Sequence, residues 1–258
     1  MSAADEEAAL LGLDPVAPDR TVAYGPHPDQ LVDLYLPRAA GGGRPAPAGP
    51  RVVLLHGGFW RAAYDRRHLS PLAAALAARG LPVALAEYRR VGAGGGAPGT
   101  FEDVAAGLAA AVRELPGEGA PVLAGHSAGG HLALLAAARP GAPVSRVLAV
   151  SPVADLARAH ALGLSGGAVA ELLGDGPGLA ERLAAADPVR HPPAGVPVTI
   201  LHGTDDGDVP LELSRRYVAH SPGTELHELP GVGHYGPVTP GSPSCHTLFR
   251  HLLPPRST

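Results

Sequence analysis

Short apolar runs alternate with longer segments of helical period along most of this chain. The runs at 52–55, 82–86, 122–124, 147–150, 198–201 and 225–229 have the length and composition of buried strands. Between them, 69–79, 101–115 and 131–138 carry apolar residues at the spacing of a helix face. Strands separated by helices require crossover connections, so the pattern predicts an α/β domain with a mostly parallel sheet of about eight strands, covered by helices on both faces. The two leading runs, 21–24 and 31–36, differ. The second mixes Leu31, Asp33 and Leu34, and the two read as an antiparallel starting hairpin.

Three stretches interrupt the alternation. Residues 1–20 are acidic and helix-compatible and read as a loosely held N-terminal arm ahead of a single domain, 21–258. Residues 39–50 are rich in Gly, Ala and Pro, and a strand follows at once, so they read as an exposed loop rather than a domain boundary. Residues 156–186 are a helix-rich insertion that would overhang the strand ends as a small cap.

Composition narrows the functional classes. A chain of 258 residues can bury a large core, and its net charge of −4 gives no footprint for nucleic acid or an anionic membrane surface. A small, neutral substrate fits better. The one cysteine, Cys245, cannot form an intramolecular disulfide; Asp5, Glu6 and Glu7 stand where a secretory signal carries basic residues; and no apolar run approaches the roughly 20 residues of a membrane span. A soluble, cytoplasmic protein is expected, and a homodimer is compatible with it. The 13 histidines include no His-Glu-x-x-His and no Cys/His cluster of zinc spacing, so neither a metal nor another cofactor is expected.

The chemistry concentrates in loops that follow strands. Gly125-His126-Ser127-Ala128-Gly129 lies between an apolar run and a helical one, where a sharp turn would hold the Ser127 hydroxyl exposed as a nucleophile. A serine hydroxyl is weak at neutral pH and needs a base, and the base needs a carboxylate to orient it. His234, in the loop Gly231-Val232-Gly233-His234-Tyr235, is the candidate base. The loop 202–210 offers Asp205, Asp206 and Asp208 as orienting acid, and spacing does not separate them. Gly57 and Gly58, after the strand at 52–55, and Ala128, after the serine, are candidate backbone donors to an oxyanion. Phe59 and Trp60 complete that loop as candidate substrate contacts. His56, His126 and His202 read as structural, with the His126 side chain facing away from the attacking oxygen. Arg89 and Arg90 read as loop anchors.

With these residues together, the chain resembles the α/β-hydrolase superfamily, in the esterase branch that includes kynurenine formamidase-like and feruloyl-esterase-like (BD-FAE-type) proteins. The resemblance runs from about Leu31 to Leu253 and rests on His56-Gly57-Gly58-Phe59-Trp60, Glu87-Tyr88-Arg89-Arg90 with Asp103, the serine turn, Ser151-Pro152 with Asp155, His202-Gly203 through Val209-Pro210, and Gly233-His234. It implies a Ser127-Asp206-His234 triad, oxyanion donors at Gly57, Gly58 and Ala128, and an acyl-enzyme formed on small carboxylic esters or aryl formamides. Phe59 stands where hormone-sensitive-lipase-like esterases carry a third glycine, which favours the formamidase-like side.

Other readings are a non-catalytic hydrolase-fold protein that binds a ligand, and a peptidase of the same fold. The run Gly92-Ala93-Gly94-Gly95-Gly96-Ala97 mimics a dinucleotide fingerprint, yet Pro98-Gly99-Thr100 delays the helix beyond it. It reads instead as a flexible loop bordering the site, with Thr100 as N-cap and Asp103 in a capping-box position.

Overall fold

The computed structural model describes residues 3–38 and 49–253, so most of the expected loop at 39–50 lies outside the described residues. Eight strands form one sheet in the order β1-β2-β4-β3-β5-β6-β7-β8. They are β1 (Arg20–Ala23), β2 (Leu31–Tyr35), β3 (Val52–Leu55), β4 (Val83–Ala86), β5 (Val122–His126), β6 (Arg146–Val150), β7 (Val198–Gly203) and β8 (Glu225–Leu229). β1 pairs antiparallel with β2 and β2 antiparallel with β4, while all later pairs are parallel. This is the mostly parallel sheet with a leading antiparallel hairpin that the alternation predicts, and it is the α/β-hydrolase arrangement that the resemblance implies. β3, β4 and β5 are buried along their whole length, because helices cover both faces of a parallel sheet.

The period of two along each strand divides the core. Val53, Leu55, Leu123, Ala149 and Ile200 join one apolar cluster, with helices α3 (Gly99–Glu114), α4 (Ala128–Ala137) and α8 (Glu212–His220). Val52, Leu54, Val122, Ala124, Leu148 and Leu201 join the other, with α2 (Ser70–Ala77) and α9 (Pro243–Leu252). The insertion at 156–186 folds as three short helices packed on one another, α5 (Leu156–Ala161), α6 (Leu164–Leu173) and α7 (Leu179–Ala186). The start of α6 is irregular, since Ser165, Gly166 and Gly167 all have positive φ. Among the described residues, no helix is long and apolar enough to cross a membrane.

Three local expectations change. The N-terminal segment is not loosely held: α1 (Ala3–Leu11) docks through Leu10, 1% exposed in the second core cluster, a burial that contributes roughly 1.5–3 kcal/mol. Thr100 is not an N-cap, because α3 already starts at Gly99. Its hydroxyl instead donates to the Arg89 carbonyl (2.7 Å) and accepts from the Gly96 N–H (2.9 Å). The glycine run does not border the serine cleft described below but is tied to α6, where the Ala97 N–H donates to the Leu172 carbonyl at 2.7 Å.

Candidate active site

Ser127 sits between β5 and α4 with φ 57° and ψ −118°, a conformation that L-residues adopt only under constraint. The constraint is close packing. A Cβ on Gly125 would lie 2.2 Å from the Gly129 carbonyl oxygen, and a Cβ on Gly129 would lie 2.3 Å from that of Leu55, so both glycines are required for strand, turn and helix to meet. One turn into α4, the His131 N–H donates to the Ser127 carbonyl (3.1 Å), and the His131 ring bonds the Ala186 carbonyl of α7 (3.0 Å), linking the serine's helix to the 156–186 insertion.

Ser127 and His234 line one cleft of about 190 Å³, with Gly58, Phe59, Arg61, Tyr64 and Tyr235 among its walls. A larger concavity of about 720 Å³, lined by Asp155, Asp187, Arg190 and Arg216, includes none of the residues expected to carry chemistry. The His234 Nδ1 bonds Asp206 Oδ2 at 2.7 Å. Asp206 is the aspartate of the three that reaches the imidazole. Its Oδ1 accepts from the backbone N–H groups of Asp208 (3.0 Å) and Val209 (2.8 Å). Asp205 instead accepts from the Thr204 hydroxyl, and Asp208 lines the cleft. Burial alone would raise the Asp206 pKa, but hydrogen bonds and charge from His202 and His234 outweigh it and hold the carboxyl well below the usual range. Asp206, Asp208 and His234 also form the one group of metal-ligand type among the described residues, with candidate atoms within 4.8 Å of one another. The oxygens of Asp206 are already occupied by these donors.

The loop after β3 supplies another wall. Gly58 lines the cleft, and a Cβ on Gly57 would lie 3.0 Å from Ser127 Cβ, so both glycines pass beside the serine. Ala128, the first residue of α4, follows it directly. His56 fixes this loop from behind, with Nε2 2.7 Å from Glu87 Oε1 and Nδ1 2.8 Å from the Gly57 carbonyl. Arg61, from the same loop, reaches α6, where it bonds both carboxylate oxygens of Glu171 (2.7 and 3.0 Å) and the Ser165 hydroxyl (2.9 Å).

Two of the expected placements need correction. Trp60 does not line the cleft. Its indole is 1% exposed and packs edge-on against His131, with ring centroids 5.2 Å apart, and Phe59 meets it edge-on from the cleft side at 6.4 Å. Phe59 remains in the wall. His126 does not face away from the site: it lines the cleft, and its Nε2 bonds the His234 carbonyl at 3.0 Å. Burial first, and the neighbouring His234 second, push the His126 pKa well down, so its ring is a neutral donor. His202 is internal, bridging the Ser214 hydroxyl (2.7 Å) and the Val209 carbonyl (2.9 Å), and it buttresses the Asp206 loop. Arg89 and Arg90 are loop anchors: Arg89 pairs with Asp103 at 2.7 Å and Arg90 with Asp29 at 2.9 Å.

The N-terminal segment was expected as a helix-compatible arm, and its part in the site was missed. Glu7 and Leu11 line the cleft, and the buried Glu6 carboxylate accepts from the N–H groups of Gly233 (3.0 Å) and Gly236 (2.8 Å) on either side of His234. The available signal was a glutamate four residues from Leu10, a charged residue on the helix's apolar face.

The BD-FAE family model matches residues 32–220. The uncharacterized protein Rv2307c of Mycobacterium tuberculosis is 33% identical over 215 residues, which cover 81% of this chain and 69% of that one. Esterase B of Lactobacillus rhamnosis, solved with a tributyrin phosphonate inhibitor, superposes with TM-score 0.77 at 22% identity over 97% of this chain and 89% of that one. A truncated carbohydrate esterase from gut microbiota superposes with TM-score 0.73 at 19% identity, over 93% and 98% of the two chains.

Proposed function

The chain belongs to the BD-FAE family, and from that premise we propose that it is a serine hydrolase of small carboxylic esters, with aryl formamides as a second substrate class. The observation that carries this is the strained Ser127 turn sharing a cleft with a His234 that is bonded to Asp206 at 2.7 Å. In this reading the Ser127 Oγ attacks the substrate carbonyl carbon while His234 Nε2 takes the hydroxyl proton. Asp206, ionised, fixes the ring and stabilises the imidazolium that forms. Backbone N–H groups of the 57–58 loop and of Ala128 receive the oxyanion, helped by the α4 N-terminus. His234 then returns its proton to the leaving oxygen or nitrogen, and water, activated by the same imidazole, releases the acid.

The dimensions of the cleft support short acyl groups. A space of about 190 Å³ walled by Phe59, Tyr64 and Tyr235 is below the usual range of roughly 300–1,000 Å³ for sites that enclose drug-sized ligands. The tributyrin phosphonate that inhibits the similar Esterase B is in keeping with a short-chain ester substrate here.

A fluorophosphonate probe should label the wild-type protein rapidly and Ser127→Ala not at all, and the same substitution should abolish hydrolysis of p-nitrophenyl acetate. A Ser127→Ala protein that retains hydrolysis would falsify the assignment. Unlabelled, inactive wild type would favour a ligand-binding role. Turnover of short p-nitrophenyl esters measured against N-formylkynurenine ranks the two substrate classes.

A further inference from the structure

We propose that Glu6 is a positioning residue for His234, and that α1 is one wall of the substrate cleft, so that the first helix belongs to the reacting apparatus. The inference rests on the reading of Ser127 and His234 given above.

The loop that carries His234 is poorly suited to hold a side chain still. Gly231, Gly233 and Gly236 surround the histidine, and glycine leaves a backbone free to sample many conformations. Three contacts remove that freedom. The Asp206 carboxylate holds the ring at Nδ1, His126 donates to the His234 carbonyl, and Glu6 accepts from the N–H of Gly233, one residue before, and of Gly236, two residues after. Glu6 thereby engages both carboxylate oxygens, one with Gly233 and the other with Gly236. Charge-assisted bonds of this kind are stronger than neutral ones, and they compensate for burying a carboxylate that is only 6% exposed.

The glycines that loosen the loop also admit the clamp. A Cβ on Gly233 would lie 2.8 Å from the Glu6 carboxylate, and one on Gly236 would lie 3.1 Å from it. Helical geometry then assigns two duties to α1. Glu6 and Leu10, four residues apart, face the loop and the core, while Glu7 and Leu11, also four apart, face the cleft beside Ser127 and Tyr235. The helix that fixes the base therefore also shapes the space the substrate enters.

The test uses the full chain with Glu6→Ala and Glu6→Gln. Each is assayed with p-nitrophenyl acetate, with fluorophosphonate titration of competent sites, and with a thermal melt. Misplacing a catalytic group by a fraction of an ångström is enough to slow a reaction strongly, so Glu6→Ala is expected to lower kcat per titrated site by about 10- to 100-fold, with KM changed less than about threefold. Glu6→Gln, which keeps one acceptor oxygen of the two, should recover part of that loss. A Glu6→Ala protein with wild-type kcat per titrated site overturns the proposal. So does a loss of activity that disappears once the rate is divided by the number of competent sites, since Glu6 would then serve folding alone. Should wild type neither label nor turn over, the Ser127 reading fails and this inference falls with it; if wild type is active and Glu6→Ala equals it, only the role of Glu6 fails.

Discussion

The two sides of the cleft hold their chemistry in different ways. Ser127 stands on the buried centre of the sheet, where β5 is covered along its whole length, and backbone-to-backbone packing at Gly125 and Gly129 leaves its turn no alternative. His234 stands beyond β8, the edge strand, where every residue is exposed or only partly buried. Close backbone packing reaches its loop at the root, where Gly203 lies against the carbonyls of Val232 and Gly233. From there on, side chains drawn from α1, from the serine turn and from the loop after β7 hold the histidine through hydrogen bonds. A site can thus be rigid on one side by exclusion of space and on the other by convergence of polar groups. The two sides should fail differently when perturbed.

The largest effect should come from the convergent side. Asp206→Asn preserves shape but removes the charge that orients His234, and it should reduce kcat/KM by about 10³- to 10⁴-fold, with little change in far-ultraviolet circular dichroism. A loss below tenfold would mean that the other clamps suffice to hold the imidazole.

Next, the same substitution can be made on both sides. Gly129→Ala places a methyl 2.3 Å from the Leu55 oxygen and 2.5 Å from that of His56, backbone atoms that cannot yield, and should destabilise the fold by about 3 kcal/mol in a urea titration. Gly233→Ala meets the movable end of Glu6 at 2.8 Å and should cost only about 1 kcal/mol. Equal losses would erase the distinction between the two sides.

The pH dependence of stability also separates the sides. On the serine side, burial moves His131 from 6.5 to about 4, against a hydrogen bond to Ala186 that works the other way. Between those values the unfolded chain binds a proton that the native one refuses, so native stability falls on acidification, by up to about 3 kcal/mol as pH drops from 6.5 to 4. On the other side, the Asp206 carboxyl is lower in the native state than when unfolded. Its stabilisation is present above about pH 4 and disappears only as pH falls further, towards its depressed native value. Urea midpoints at pH 7 and pH 4.5 should therefore converge in His131→Gln relative to wild type. An unchanged difference would place the acid sensitivity elsewhere.

How much of this was readable in the sequence follows the same division. The Ser127 turn is local: strand, Gly-x-Ser-x-Gly and helix are contiguous, and the close approaches they need are made by residues within the motif and by β3. The succession of strands and helices along the chain was legible for a similar reason, since period and length are properties of single segments. Asp206 stood among three aspartates that spacing could not separate, and it is a three-dimensional approach to His234 that distinguishes it. Glu6 could not be placed at all, because its partners lie 227 and 230 residues away. Trp60 and His126 were misjudged through direction rather than identity. Which way a side chain leaves a loop depends on φ at Phe59 and Trp60 and on the room beside Gly57, neither of which sequence spacing records. Thr100 carried a capping signal that lost to a tertiary acceptor, the Arg89 carbonyl.

The clamp on His234 also sets an order of events during synthesis. Glu6 leaves the ribosome 227 residues ahead of Gly233 and 230 ahead of Gly236, and until they follow it has nothing to grip. The close contacts of Gly125 and Gly129, by contrast, all lie within the chain as far as Gly130. A nascent chain would pass through much of its elongation with the nucleophile's scaffold already made and the base unclamped. Competence would wait until the segment around Glu6 closes over one made 227 residues after it.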